Sequence, residues 1–215
     1  MPENLFEAKY DITKKTRLRR FYESNKFFIL SSVIILTILL VSFNFYLEHN
    51  KNKKILLSEK YIKAKLYLED GNKKSATTIL REIIESNESI YSYLSLFLII
   101  DQKIIVDKKE ILFLFDHLLK NKNLPKEIRY LLIYKKALFQ SSFADESEFL
   151  ETTKPLINSE NKWKPHALLL LGDYFISKKE YIKSIEFYQE IFKIKNLNQS
   201  LYDHARSQLT IISND

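Results

Sequence analysis

Twenty-one consecutive residues, Phe27 to Leu47, carry no charge, and fifteen of them are Leu, Ile, Val or Phe. As a helix the run reaches about 32 Å, against a bilayer hydrocarbon core of about 30 Å. The fifteen apolar side chains contribute at most about −5 to −9 kcal/mol toward insertion. Ser31, Ser32, Thr37 and Ser42 are cheap in a helix, and Asn44, Phe45 and Tyr46 fall where an interfacial belt lies. A buried core helix shows polar positions every third or fourth residue; this run lacks that period. A cleavable leader has a shorter apolar stretch ending in small residues, whereas the exit here is Asn44-Phe45-Tyr46-Leu47-Glu48. The run reads as one uncleaved transmembrane helix.

Cations set its orientation. Lys9, Lys14, Lys15, Arg17, Arg19, Arg20 and Lys26 precede the run, while Lys51, Lys53, Lys54 and Lys60 follow it. The bias places the N-terminus in the cytoplasm. The predicted organisation is a basic cytoplasmic tail (1–26), a transmembrane helix (27–47) and an extracytoplasmic domain (48–215).

That domain is predicted to be all-α. The whole chain of 215 residues has 2 Gly and 4 Pro. A sandwich or barrel needs turn residues at short intervals, and dinucleotide folds and P-loops need glycines that are missing. Apolar periodicity and punctuation place helices near 52–69, 73–86, 89–101, 108–121, 125–139, 146–156, 165–177, 181–194 and 198–212. Asp107 with Glu110, and Asp145 with Glu148, have capping-box spacing. Pro125 and Pro165 suit first helical turns, where a missing N–H costs nothing.

Two stretches share an internal pattern. One is Ala64-x2-Tyr67-x3-Gly71-Asn72-x3-Ala76-x3-Leu80-x2-Ile83; the other is Leu168-x2-Leu171-Gly172-x2-Phe175-x5-Tyr181-x2-Ser184-x3-Tyr188-x2-Ile191. A small residue lets two helices approach closely, and a large one a turn later fills the groove beside it. Both stretches resemble the tetratricopeptide repeat, a helix–turn–helix unit. Ala64 and Gly172 match the small residue of its first helix, and Tyr67 and Phe175 the aromatic that follows. Gly71 matches its turn glycine. Ala76 and Ser184 match the small residue of its second helix, with Leu80 and Tyr188 as the large one after it. The resemblance implies an α-solenoid of about four helical pairs plus a capping helix, with a concave face that binds proteins. Tyr91, Tyr93, Phe97, Phe113 and Phe115 lie in the degenerate middle of the pattern. They are candidates for a groove; the alternative is that they pack between helices.

Nothing in the sequence points to catalysis. Cysteine is absent, and His49, His117, His166 and His204 are never three or four residues apart, so no helical metal pair exists. Net charge is +7, but Lys outnumbers Arg 28 to 6, and Arg is the residue of base-edge and phosphate forks. The expectation is a non-enzymatic protein with no metal, no cofactor, no small-molecule substrate and no nucleic-acid partner.

The layout of basic tail, single span and divergent repeat domain resembles the YfgM-type ancillary subunits of the SecYEG translocon of Gram-negative bacteria. Leu124-Pro125-x2-Ile128-Arg129-x-Leu131-x5-Ala137 looks like that family's central helix. Trp163-Lys164-Pro165-His166-Ala167-x3-Leu171-Gly172, with His204-Ala205-Arg206, looks like its C-terminal block. The sequence departs from the pattern at Lys179-Glu180, where Gly-Asp is usual, and over 89–121. The resemblance implies an inner-membrane protein with a periplasmic domain, partnered by Sec translocon subunits, a membrane-anchored periplasmic chaperone and exported client chains.

Overall fold

A computed structural model describes residues 17–88 and 90–214. Most of the predicted cytoplasmic tail, residues 1–16, lies outside the described residues. The chain divides into two compact units, Met1–Ile55 and Leu56–Asp215. Among the described residues every regular element is an α-helix.

Helix α1 spans Arg17–Glu69. Within the first unit its one non-helical residue is Asn25 (φ −118°, ψ 16°), whose Nδ2 donates to the Phe21 carbonyl at 3.1 Å. The apolar stretch is exposed along its length and is long and apolar enough to cross a membrane. Thr37 Oγ1 donates to the Val33 carbonyl at 2.8 Å, so its hydroxyl is satisfied inside the helix. A separate helix near 52–69 was expected; the structure instead continues α1 through it. The reason lies in composition: no Gly or Pro occurs between Arg17 and Glu69, so nothing interrupts the backbone ladder.

The second unit holds the end of α1 and eight more helices: α2 (Lys73–Glu85), α3 (Tyr91–Asp101), α4 (Lys108–Leu119), α5 (Lys126–Gln140), α6 (Glu146–Ile157), α7 (Lys164–Ser177), α8 (Tyr181–Phe192) and α9 (Gln199–Asn214). Their starts follow local chemistry. Asn72 Oδ1 accepts from Ser75 N at 3.1 Å, and Asp145 Oδ1 from Glu148 N at 2.9 Å. Asp107 accepts from Lys109 N at 2.9 Å, so it caps one residue earlier than its spacing to Glu110 suggests. Glu88 Oε2 accepts from both Ile90 N and Tyr91 N and opens α3. Arg129 closes α4: Nη1 donates to the Leu119 carbonyl at 2.6 Å and Nη2 to that of Asn121 at 2.7 Å.

Three helices end in the same way. Gly71 (φ 76°), Lys103 (φ 47°) and Lys179 (φ 62°) are left-handed residues after α1, α3 and α7. The amide after each donates five residues back, Asn72 to Tyr67, Ile104 to Ile99 and Glu180 to Phe175. This is the Schellman arrangement, which satisfies the last carbonyls of a helix. Gly71 reaches it without steric cost, whereas the two lysines adopt it against their Cβ.

Helices that pack together are sequence neighbours or next-but-one neighbours, such as α2 with α4, α5 with α7 and α7 with α9. The core follows the chain accordingly. Leu80, Ile83, Leu96, Ile99, Phe115 and Leu132 centre one cluster. Ala137, Phe149, Leu171 and Phe175 form a second; Tyr130, Leu156 and Ala167 a third; Leu168, Tyr188, Ile191 and Ala205 a fourth.

Candidate binding groove

Residues of α3 four and three apart share one face, and Leu94, Phe97, Leu98 and Asp101 do so here. That face, with Tyr61 of α1 and Lys135, Leu138 and Phe139 of α5, lines a cavity of about 520 Å³. The floor is apolar: Leu138 is 42% exposed, and Phe139 rests on the fully buried Phe115, ring centroids 6.4 Å apart. Lys135 Nζ lies 5.7 Å above the Phe97 ring, leaving an ammonium at the lip, while Asp101 supplies the one carboxylate of the lining. Tyr93 stands beside Phe97 at 5.8 Å, and Tyr91 beside Tyr61 at 5.9 Å. Burial raises the phenol pKa values of Tyr61 and Tyr93 above the usual range, with the Glu88 charge adding to the effect on Tyr93. Both phenols therefore stay protonated near neutral pH. A recess of about 210 Å³ lined by Lys65, Leu68, Glu69 and Gln102 shares Leu98 with the groove. Such a surface can take an apolar side chain from a partner and a polar group at its rim.

The five aromatic candidates separate in the structure. Phe97 lines the groove, and Tyr91 and Tyr93 buttress its edge. Phe115 is fully buried, so it packs between helices and is not a groove residue. Phe113 is 63% exposed and does not line the cavity. Leu94, Leu98 and Leu138 were not singled out from sequence. The signal for Leu94 and Leu98 is the spacing from Leu94 to Asp101, which puts them on one face of α3 with Phe97.

The predicted packing residues occupy two junctions. At the first, Ala64, Ala76 and Leu80 are fully buried, Tyr67 is half-buried with Lys63 Nζ 5.8 Å above its ring, and Gly71 makes the turn. At the second, Leu168, Leu171, Gly172 and Phe175 of α7 face Ser184 and Tyr188 of α8, all buried. Ser184 Oγ donates to the Gly172 carbonyl at 2.9 Å, and Tyr188 OH to Asp173 Oδ1 at 2.6 Å. Burial and the neighbouring Asp173 carboxylate push the Tyr188 phenol far above its usual range. Tyr181 departs from expectation: it is 43% exposed and stands at the rim of the junction, because it is the first residue of α8.

Metal-ligating side chains do not gather: among the described residues no three of His, Asp and Glu are placed to hold an ion. Compared with family models, curated proteins and solved structures, the chain matches none of them.

Proposed function

We propose that this protein is a single-span membrane adaptor that binds other proteins through the α1–α3–α5 groove. The helical pairs are read as tetratricopeptide-like units forming a short solenoid capped by α9. The reading is supported by the small–large packing at Ala64–Ala76–Leu80 and Gly172–Ser184–Tyr188 and by the repeated turns at Gly71 and Lys179. The single observation that carries the binding role is the open, apolar cavity of about 520 Å³ with one ammonium at its lip. An apolar face left open to water marks an interaction surface.

The span tethers this surface to a membrane, which turns weak groove contacts into effective ones by raising local concentration. With the cation bias placing the N-terminus inside, the domain faces the periplasm of a Gram-negative inner membrane. The partners of this reading are Sec translocon subunits, a membrane-anchored periplasmic chaperone and the exported chains they handle. The role is to receive or guard those chains, without catalysis, cofactor or nucleic acid.

Affinity purification of the full-length protein from native membranes in mild detergent, followed by mass spectrometry, tests this. Enrichment of translocon subunits and a periplasmic chaperone supports the export role. Enrichment of cell-division or cell-wall proteins instead makes the chain a scaffold of another envelope complex and overturns it. A reporter fused after Asp215 that works only in the cytoplasm overturns the orientation.

A further inference from the structure

The α1–α3–α5 groove carries one charge on each of two helices, Asp101 on α3 and Lys135 on α5. Nearby charges find partners inside the protein. Lys60 Nζ lies 2.9 Å from Glu82 Oε2, and Lys136 Nζ, next in sequence to Lys135, lies 2.7 Å from Asp116 Oδ1. Among the described residues Lys135 and Asp101 form no ion pair, with each other or with another side chain. The Lys135 ammonium instead rests over the Phe97 ring at 5.7 Å, and Asp101 Oδ2 accepts from Gln102 Nε2 at 3.0 Å. Both residues are exposed. The recess beyond Leu98 adds one charge of each sign, Lys65 and Glu69, and so leaves the balance unchanged.

Helix geometry sets the interval between the two charges. Phe97 and Asp101 are four residues apart on α3, which is about 6 Å along its axis. The ammonium sits over Phe97, so along the groove it stands about one helical turn before the carboxylate. The surface they border is apolar, with Leu94, Leu98, Leu138 and Phe139 in the lining. An amphipathic helix repeats this layout. Its apolar anchors recur every three or four residues, and charges four residues apart flank them with the same rise of about 6 Å.

We propose that the groove selects an amphipathic helix of a partner protein whose apolar face is flanked by an acidic residue and, one turn along, a basic one. The proposal rests on the reading of the groove as protein-binding and adds which kind of segment it takes. The apolar lining supplies most of the affinity. Lys135 and Asp101 supply the choice, because a helix with two like charges sets one of them against its own sign at the rim. Both charges face water, so each pair is worth about two- to fivefold in affinity and weakens with salt.

Short leucine-faced helical peptides labelled with fluorescein test this by anisotropy, titrated with the full-length protein in detergent micelles and with empty micelles as the blank. Four peptides differ only at two positions one turn apart, which hold Glu and Lys, two Glu, two Lys or two Gln. The Glu–Lys peptide should bind about two- to fivefold tighter than either like-charged peptide, and high salt should erase the difference. Lys135→Glu should move the preference to the Lys–Lys peptide, and Asp101→Lys to the Glu–Glu peptide; both positions are exposed, so both variants should fold. Equal affinity for all four peptides, lost in Leu138→Glu, overturns the charge selection and leaves the groove as a binding surface. Absence of binding by every peptide, or binding indifferent to Leu138→Glu, overturns both.

Discussion

Tyr188 packs directly on the backbone of Gly172: a methyl group added to the glycine would lie 2.6 Å from the ring's Cζ. The ring cannot step aside cheaply, because it is fully buried and its hydroxyl is held by Asp173. Gly172→Ala should therefore destabilise the domain by about 1–3 kcal/mol, the range for overpacking a filled core. Urea unfolding followed by far-ultraviolet circular dichroism measures it. An unchanged midpoint would mean that the α7–α8 junction is looser than its geometry.

The left-handed turns make a pair of opposite predictions. Gly71 has nothing within 4 Å of where a Cβ would sit, so the cost of Gly71→Ala is the local strain of a Cβ at φ 76°. A loss of about 1 kcal/mol is expected. Lys179 holds a similar conformation with a side chain, at φ 62°. Lys179→Gly should raise stability by about 0.5–1 kcal/mol, because relief of the strain exceeds the added freedom of the unfolded chain. Thermal melts of both variants against the natural protein should move in opposite directions.

Alkaline unfolding should be sensitive to Tyr188. Its phenol pKa is raised in the folded protein, so the folded state holds a proton that the unfolded state releases first. The resulting stability is fully present below the unfolded phenol value of about 10 and is lost as pH rises above it. Tyr188→Phe should lower stability near neutral pH by about 0.5–1.5 kcal/mol through the lost bond to Asp173. It should also flatten the decline in melting temperature above pH 10. A variant whose decline stays as steep as the natural protein's would assign that decline to the other buried tyrosines.

The groove can be tested without disturbing the core. Leu138 lines it and is 42% exposed. Leu138→Glu should alter stability by no more than about 0.5 kcal/mol. Binding of a fluorescently labelled unfolded exported protein to the full-length chain should weaken about tenfold, roughly the loss of one buried apolar contact. Anisotropy titration reports the change; equal affinity would move the binding surface elsewhere.

Much of the helical layout was legible because its signals are local. Asp145 with Glu148 marks a helix start through a hydrogen bond made within three residues, and Pro125 marks one because its missing N–H costs nothing at the head of a helix. The Ser184–Tyr188 pair was legible for a related reason: a small and a large residue one turn apart force two helices together. Phe115 and Phe97 show where this stops. Both are phenylalanines in apolar helices, and which one faces the groove depends on the rotation of α3 and α4 against their neighbours. Lys179 shows a second limit. No sequence rule places a lysine at a left-handed position; the hydrogen bonds from Lys179 N to Ile176 and Glu180 N to Phe175 hold it there. The continuity of α1 was hidden because the change from apolar to charged composition after Leu47 looks like a boundary, although helical backbone crosses it freely.

The ordering of the core along the chain has a consequence for biogenesis. The cluster around Leu80, Ile99 and Phe115 draws only on segments between Leu57 and Phe139. It closes before Trp163 and the helices beyond it are required. A chain threaded N-terminus first can thus acquire structure vectorially, each new helix finding its partner already in place, and short-range contacts of this kind form fast. Helix α9 follows α8, so the apolar surface made by Leu168, Tyr188 and Ile191 stays open until α9 has been delivered.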